Sequence, residues 1–196
     1  MNETQLIGNM KVNIPQYVCW TRSRAEQGGG GIATAVRQEY SERTVGAGEG
    51  EKEDGYLITR IEAFSPALNI VNIYGEQRKT KREEVEGKLA RLRNELETIR
   101  RRGESCLYTG DLNKLVGCGE LGVPGTSPET SIGGKLLTEM LSTKDWVLVN
   151  GQGSEVVERG PYTREDPATG KLSCLDLSIV SRELWPYVQK LVIDRD

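Results

Sequence analysis

The sequence has 196 residues, 36% hydrophobic and 28% charged, which is enough for one sizeable core and marginal for two. The net charge of −3 provides no overall basic field for nucleic acid, so a polyanion would need a local basic patch. The sequence contains no histidine, which excludes Ser-His-Asp and Cys-His nucleophile systems and H-E-x-x-H zinc proteases. Carboxylate, amide and hydroxyl groups remain, and these suit Mg²⁺, Mn²⁺ or Ca²⁺.

The first part of the chain predicts short strands separated by glycine-rich turns. A glycine run at 28–31 precedes one strand, and a solvated loop is predicted at 46–55. The short connection between the last two strands predicts that they are antiparallel neighbours. The strands are predicted at 13–20, 32–36, 56–61 and 68–74.

The clearest helix is predicted at 81–102. Thr80 and Glu83 have the spacing of a capping box at its start, and Gly103 ends it. Apolar residues recur every three or four positions and form one stripe along the helix. They are Val85, Leu89, Leu92, Leu96 and Ile99.

The rest of the chain alternates strands and one further helix. A strand at 105–109 runs into Gly110, and a glycine-rich loop from Gly117 to Gly134 leads to a helix. Many short strands with two good helices indicate an α/β sandwich, with sheets packed face to face and helices outside. The helix carries Leu136, Leu137, Met140 and Leu141, and the later strands are predicted at 146–149, 162–164, 175–180 and 188–193.

The four cysteines predict an intracellular protein with reduced thiols. Cys19, Cys106, Cys118 and Cys174 are far apart in the chain and form no C-x-x-C pair. Cys106 and Cys174 lie inside apolar, strand-like runs, as buried free thiols do.

Three polar segments could carry chemistry. Asp111 and Asn113 follow a buried-looking strand, and in extended backbone their spacing places both side chains on one face. A carboxylate beside an amide can bind a divalent metal and orient a water, although Gly, Asp and Asn are also ordinary turn residues. Asp176 lies in an apolar strand and is either paired or metal-bound, or on an outward face. Glu3, taken alone, is typical of a frayed terminus.

The order of several motifs resembles the endonuclease/exonuclease/phosphatase superfamily, and most closely the endonuclease domains of non-LTR (LINE-type) retrotransposons. Each motif is weakly specific, but the ordered set spans nearly the whole chain. The resemblance implies a four-layered α/β sandwich with two mixed sheets between helices. The motifs are Asn2-Glu3-Thr4-Gln5-Leu6, Gly28-Gly29-Gly30-Gly31-Ile32-Ala33, Asn72-Ile73-Tyr74, Gly110-Asp111-Leu112-Asn113, Tyr162-Thr163 and Ser173-Cys174-Leu175-Asp176.

The resemblance also implies a metal site. Glu3 matches the glutamate that binds the catalytic Mg²⁺ (or Mn²⁺) in this superfamily. Asp176 matches the aspartate at the floor of the site, and we expect it to be both a metal ligand and a catalytic residue. The implied substrate is DNA, and the implied reaction is hydrolysis of a phosphodiester bond.

Four further catalytic residues follow from the same resemblance. Tyr74 matches a tyrosine that hydrogen-bonds the scissile phosphate, and Thr163 matches a threonine near that phosphate. Asp111 and Asn113 match the pair that positions the attacking water and stabilises the transition state.

The chain departs from the superfamily pattern at both ends. The superfamily has a strand and a helix before the Glu-Thr motif and a terminal Ser-Asp-His, whereas this chain begins at the motif and ends at Asp194-Arg195-Asp196. We therefore expect a single but incomplete domain over 1–196. A positioned general base contributes ~10²–10⁴-fold to rate, so its loss predicts absent or weak activity. A missing strand would uncover a sheet edge, which predicts self-association.

Other interpretations remain open at this stage. The basic residues of the helix at 81–102 could contact a DNA backbone, but glutamates interleave with them, which favours a salt-bridged, solvated face. The alternatives to a nuclease of a retrotransposon polyprotein are a phosphatase or phosphodiesterase acting on a small phosphoester, or a degenerate fragment without catalysis. No membrane partner is expected, and a DNA substrate predicts a nuclear site of action.

Overall fold

The structure is a computed structural model that describes residues 12–23, 31–47, 55–75, 82–112, 132–143, 145–152, 157–158, 162–165, 167–170 and 172–193. These residues form strands and helices, confirming the predicted α/β class. The strands are β1 (Tyr17–Ser23), β2 (Gly31–Arg37), β3 (Thr44–Ala47), β4 (Tyr56–Ile61), β5 (Leu68–Tyr74), β6 (Ser105–Asp111), β7 (Trp146–Leu148), β8 (Val157–Glu158), β9 (Arg164–Glu165), β10 (Leu172–Ser173), β11 (Asp176–Ser181) and β12 (Leu191–Val192). The helices are α1 (Gln38–Ser41), α2 (Arg82–Arg101) and α3 (Ile132–Leu141), with 3₁₀ turns at Val149–Gly151 and Trp185–Tyr187.

The strands form one large sheet and several small ones. The large sheet is mixed; its strands include β3-β4-β5-β6, in that order, and the neighbouring pair β11-β7. Two-stranded sheets are formed by β1 with β2, β9 with β10, and β8 with β12. The chain divides into two compact units, Met1–Gly75 with Leu96–Asp111, and Glu76–Glu95 with Leu112–Asp196. The single domain expected from the sequence stays a prediction.

In the first unit, strand direction follows the connections. β4 and β5 are antiparallel, as predicted from their short connection, and β3 is antiparallel to β4. β5 and β6 are parallel. A parallel pair needs a long crossover, and α2 lies in the chain between them. The carboxyl ends of β5 and β6 therefore lie side by side.

The first unit contains two sheets packed face to face, as predicted. Ile32 of β2 packs against Leu57 of β4 and Tyr74 of β5, with Trp20 of β1 alongside. The buried side chain of Asn72 donates a hydrogen bond from Nδ2 to the carbonyl oxygen of Ala33, 2.9 Å away. This packing fixes the sheet that carries Tyr74.

The predicted loop at 46–55 is partly wrong, because Gly46 and Ala47 belong to β3. A Cβ atom at Gly46 would lie 2.3 Å from Cδ1 of Trp20, so the indole ring lies against the glycine backbone. Glycine is unfavourable in strands on average, but close packing of a ring accounts for it here.

In the second unit, β7 and β11 are antiparallel, with Leu148 opposite Ile179. The predicted strand at 146–149 ends one residue early, where the chain turns into the 3₁₀ helix at Val149–Gly151. The strand predicted at 162–164 is wrong for Tyr162 and Thr163, which precede β9. Only Leu191–Val192 of the predicted strand at 188–193 pairs, in parallel with β8.

Helix α2 agrees with its predicted apolar stripe. Val85, Leu92, Leu96 and Ile99 are buried and Leu89 is half-buried. Gly103 ends the helix with a φ of 65°, and its N–H donates to the carbonyl oxygen of Arg100. None of the helices in the described residues has the length and apolar character of a membrane span.

Candidate active site

The structure describes four of the six residues that the sequence singles out. Tyr74 and Asp111 lie in the first unit, and Thr163 and Asp176 lie in the second. Glu3 and Asn113 lie outside the described residues. The roles assigned to these six residues stay predictions.

Tyr74 and Asp111 are register partners at the ends of two parallel strands. Tyr74 is the last residue of β5 and Asp111 the last residue of β6. The N–H of Gly75 donates to the carbonyl oxygen of Asp111, 2.5 Å away, and the N–H of Tyr74 donates to that of Gly55, 2.8 Å away. In open α/β sheets, ligands bind outside the carboxyl ends of parallel strands.

Gly110 is required for this arrangement. Its φ of 140° lies in a region that side chains rarely adopt, and its register partner is Ile73. A Cβ atom at Gly110 would lie 2.0 Å from the carbonyl oxygen of Ile73. The glycine of the Gly-Asp motif therefore lets the two strands approach immediately before Asp111.

Thr163 holds the backbone that carries Asp176. Its Oγ1 accepts hydrogen bonds from the N–H groups of Leu175, 3.0 Å away, and of Asp176, 3.1 Å away. Its own N–H donates to the carbonyl oxygen of Ser173, 3.0 Å away. A hydroxyl oxygen has two lone pairs, and the two amides occupy both of them. The hydroxyl can therefore still donate one hydrogen bond, through its O–H, to another group.

Asn150 is a polar residue near Asp176 that the sequence did not single out. It is only 2% exposed, and its Nδ2 donates to the carbonyl oxygen of Asp176, 3.2 Å away. In the sequence, Asn150-Gly151 is typical of an ordinary turn after a strand, which hides this contact across 26 residues. The sequence signal that could have indicated this contact is an asparagine placed directly after an apolar, strand-like run.

Cys174 is neutral at physiological pH. Burial raises the pKa of its thiol to about 12, and the negative charge of Asp176 also raises it, while the hydrogen bond from Asn150 lowers it. The thiolate is the form of cysteine that binds metals and attacks substrates. Cys174 therefore serves as a packed, hydrogen-bonded group. Cys19, Cys106 and Cys174 are all free thiols, as predicted, and Cys118 lies outside the described residues.

A further backbone hydrogen bond within the second unit holds the segment just before Asp176. Leu112 follows Asp111 in the chain, and its N–H donates to the carbonyl oxygen of Leu175, 2.9 Å away. Leu175 directly precedes Asp176.

The oxygen donors suit Mg²⁺ or Mn²⁺, but the described residues contain only part of a ligand set. Among them, no three His, Cys, Asp or Glu side chains come together. Asp176 supplies a carboxylate on a firmly held backbone, which is the kind of ligand that hard cations prefer. The second predicted ligand, Glu3, lies outside the described residues.

The charged face of α2 is largely paired within the helix. Arg82 contacts Glu86, Lys88 contacts Glu84, and Glu97 contacts both Arg100 and Arg101. Such pairs at i, i+3 and i, i+4 stabilise an exposed helix modestly. They favour the salt-bridged interpretation of this helix over a contact with DNA.

Several solved structures have a fold similar to that of this chain. The endonuclease domain of TRAS1, a telomere-specific non-LTR retrotransposon, matches with a TM-score of 0.55 at 15% identity, over 86% of this chain and 69% of that one. The catalytic domain of Xenopus laevis APE2 matches with a TM-score of 0.61 at 17% identity, over 88% and 68%. The 3' phosphatase NExo from Neisseria, bound to a product DNA hairpin, gives 0.61 at 15%, over 93% and 75%.

These similarities confirm the predicted fold, which this chain shares with a non-LTR retrotransposon endonuclease domain, an APE2 catalytic domain and NExo. At identities of 15–17% they establish the fold alone. No family model matches the sequence, and no curated protein matches it.

Proposed function

We propose that this chain is a nuclease domain that hydrolyses phosphodiester bonds in DNA with Mg²⁺ or Mn²⁺, as part of a retrotransposon-type polyprotein that carries a reverse transcriptase. The observation that carries the proposal is the register pair of Tyr74 and Asp111 at the carboxyl ends of β5 and β6. The fold of nucleases and the ordered motifs of the sequence support the same function. A DNA substrate in such a polyprotein favours a nuclear site of action.

The proposed roles follow from the chemistry of each side chain. Asp176 and Glu3 would hold the metal ion, which would supply positive charge to a phosphoryl oxygen. Asp111 and Asn113 orient the attacking water through carboxylate and amide oxygens. Tyr74 donates a hydrogen bond from its phenolic O–H to the scissile phosphate.

Thr163 has a proposed role consistent with its geometry. Its oxygen already accepts two backbone N–H groups, so its hydroxyl proton is what it can direct to a phosphate oxygen. The same two hydrogen bonds fix the position of Asp176.

The proposed activity is weak for this chain alone. With no histidine in the sequence, the chain lacks the usual side chain for general base catalysis near neutral pH. A positioned general base is worth ~10²–10⁴-fold in rate. Metal binding and positioning would remain, so slow nicking rather than rapid cleavage is expected.

Nicking of supercoiled plasmid with Mg²⁺ or Mn²⁺ tests this proposal. Asp111→Asn removes the charge with little change in shape and should lower the nicking rate by about 10²-fold or more. Glu183→Gln removes a carboxylate at an exposed position and serves as the matched control. An Asp111→Asn variant that nicks as fast as the unchanged chain contradicts the assignment, as does nicking that persists in excess EDTA.

A 3'-phosphatase activity is a second candidate, favoured by the fold shared with NExo. A DNA hairpin with a 3'-phosphate and an otherwise identical hairpin with a 3'-hydroxyl separate the two functions. Release of inorganic phosphate without nicking of plasmid would indicate the phosphatase. Absence of both activities, with no heat of Mg²⁺ binding by calorimetry, would indicate a non-catalytic fragment.

Self-association through a sheet edge is also proposed. Among the strands that the structure describes, β3 lies at the edge of the large sheet, and its Val45 side chain is half exposed. Terminal strands present backbone groups that another chain can pair with. Sedimentation at several concentrations should show a dimer that Val45→Lys weakens, whereas a monomer throughout would exclude this association.

A further inference from the structure

Asn150 makes hydrogen bonds to the main chain on both sides of Leu177, the residue after Asp176. Its Nδ2 donates to the carbonyl oxygen of Asp176, 3.2 Å away, and its Oδ1 accepts from the N–H of Ser178, 2.6 Å away. Nδ2 also contacts Sγ of Cys174 at 3.6 Å. A carboxamide buried this deeply needs its donor and acceptor satisfied, and β11 satisfies both.

These bonds hold β11 just beyond the point where its pairing with β7 stops. The last register pair of β7 and β11 is Leu148 with Ile179, after which the chain turns into the 3₁₀ helix at Val149–Gly151. A carboxamide carries the same C=O and N–H groups as a peptide. The side chain of Asn150 bonds the main chain on either side of Leu177, which is the pattern that a parallel neighbouring strand makes, although β7 itself is antiparallel to β11.

Asp176 is thereby held at both of its main-chain groups by side chains. Thr163 Oγ1 accepts its N–H at 3.1 Å, and Asn150 Nδ2 donates to its carbonyl oxygen at 3.2 Å. Asp176 is the first residue of β11, where a strand would otherwise fray. Fixing both peptide groups fixes the direction in which the carboxylate leaves the backbone.

We infer that Asn150 is a positioning residue for Asp176, acting with Thr163 as a clamp on the main chain of that aspartate. The inference rests on the proposed function, in which Asp176 is a metal ligand. Groups that orient a metal ligand are typically worth about 10–100-fold in metal affinity or activity. Asn150 touches neither metal nor substrate in this role.

The test compares Asn150→Leu with a matched change elsewhere. Leucine has a similar volume and removes both hydrogen-bonding groups. Asn69→Leu is the control, because Asn69 is 1% exposed and its Nδ2 donates to Glu104 Oε2 and the carbonyl oxygen of Ser105, at 3.0 and 3.2 Å. Asn69 lies near the start of β5, five residues before Tyr74. Both variants lose buried hydrogen bonds, so both should be less stable.

Only Asn150→Leu should weaken Mn²⁺ binding, by about 10–100-fold in calorimetry, and lower kcat for plasmid nicking with KM unchanged. In an Asp176→Asn background, the same Asn150→Leu substitution should leave metal affinity and kcat unchanged. Equal losses from Asn150→Leu and Asn69→Leu, or a further loss in the Asp176→Asn background, would overturn the inference.

Nuclear magnetic resonance keeps the inference testable if the chain neither binds metal nor nicks DNA, in which case the proposed function fails. Asn150→Leu should shift the ¹³Cγ signal of Asp176 and speed hydrogen exchange at the Ser178 amide, while Asn69→Leu leaves both unchanged. An Asp176 carboxyl signal that is identical in all three proteins would show that Asn150 does not position this side chain.

Discussion

The carbonyl oxygen of Ile73 occupies the space where any residue other than glycine at position 110 would place its Cβ atom, at a separation of 2.0 Å. The two residues are opposite each other in parallel strands, one position before Tyr74 and Asp111. The close approach of the strands therefore depends on the smallest residue of the motif.

Gly110→Ala should lower the free energy of unfolding by about 1–3 kcal/mol from backbone strain alone, with the contact to Ile73 adding to this. Urea denaturation measures the loss. Gly103→Ala is the matched control, because Gly103 also has a positive φ, 65°, but a Cβ atom added there would meet nothing within 4 Å. If both substitutions cost the same, the contact with Ile73 is unimportant.

Thr163→Val should destabilise the start of β11. Valine has the same shape but no acceptor, so the N–H groups of Leu175 and Asp176 lose their partner. The expected cost is about 1–3 kcal/mol, measured by chemical denaturation. Hydrogen exchange should quicken at residues 175 and 176. Thr163→Ser keeps the hydroxyl and should retain most of the stability, and the prediction fails if serine and valine behave alike.

Glu104 should make the chain sensitive to acid. Burial acts to raise the pKa of its carboxyl, but hydrogen bonds from Arg60 and Asn69 outweigh this and leave the pKa below its ordinary value. A pKa that is lower in the folded than in the unfolded chain adds stability above the unfolded value, about 4.3. That stability is lost as the pH falls through the folded pKa.

Glu104→Gln should flatten this dependence and cost about 1–3 kcal/mol at pH 7, because Arg60 loses one of its two charged partners and keeps only Glu62. Unfolding curves from pH 3 to 7 measure both effects. Glu97→Gln is the comparison, since Glu97 is an exposed partner of Arg100 and should change stability little. A variant at Glu104 with the same acid sensitivity as the unchanged chain would contradict the role of this carboxylate.

Cys174 should resist alkylation in the folded chain. With a pKa of about 12 and a buried side chain, its thiol is almost wholly protonated at pH 8.5 and shielded from reagent. The raised pKa also links this thiol to folding stability. Its contribution to the free energy of unfolding is complete below the pKa of the unfolded chain and is lost as the pH rises toward 12. Peptide mass spectrometry after iodoacetamide should find Cys19, which is half-buried, modified before Cys174. Equal labelling of Cys19 and Cys174 would refute this.

The sequence alone determined the elements whose signals are local. The bounds of β4 and β5 agree with their predicted ranges, and α2 differs from its prediction by one residue at each end, because hydrophobic periodicity and a terminal glycine act over a few neighbouring residues. The ordered motifs also led to the correct fold. They placed Tyr74 and Asp111 near the ends of strands, where the structure has them.

Only the tertiary structure decided how polar side chains are used. Gly46 is in a strand because Trp20 packs on it, and Thr163 and Asn150 hold Asp176 across 13 and 26 residues. Threonine and asparagine are also common in turns, so the sequence around them does not show whether they make such a long-range contact. The hydrogen-bond partners of Thr163 and Asn150 depend on the position of β11 in the folded chain. That position is set by tertiary packing and not by the residues next to them in the sequence.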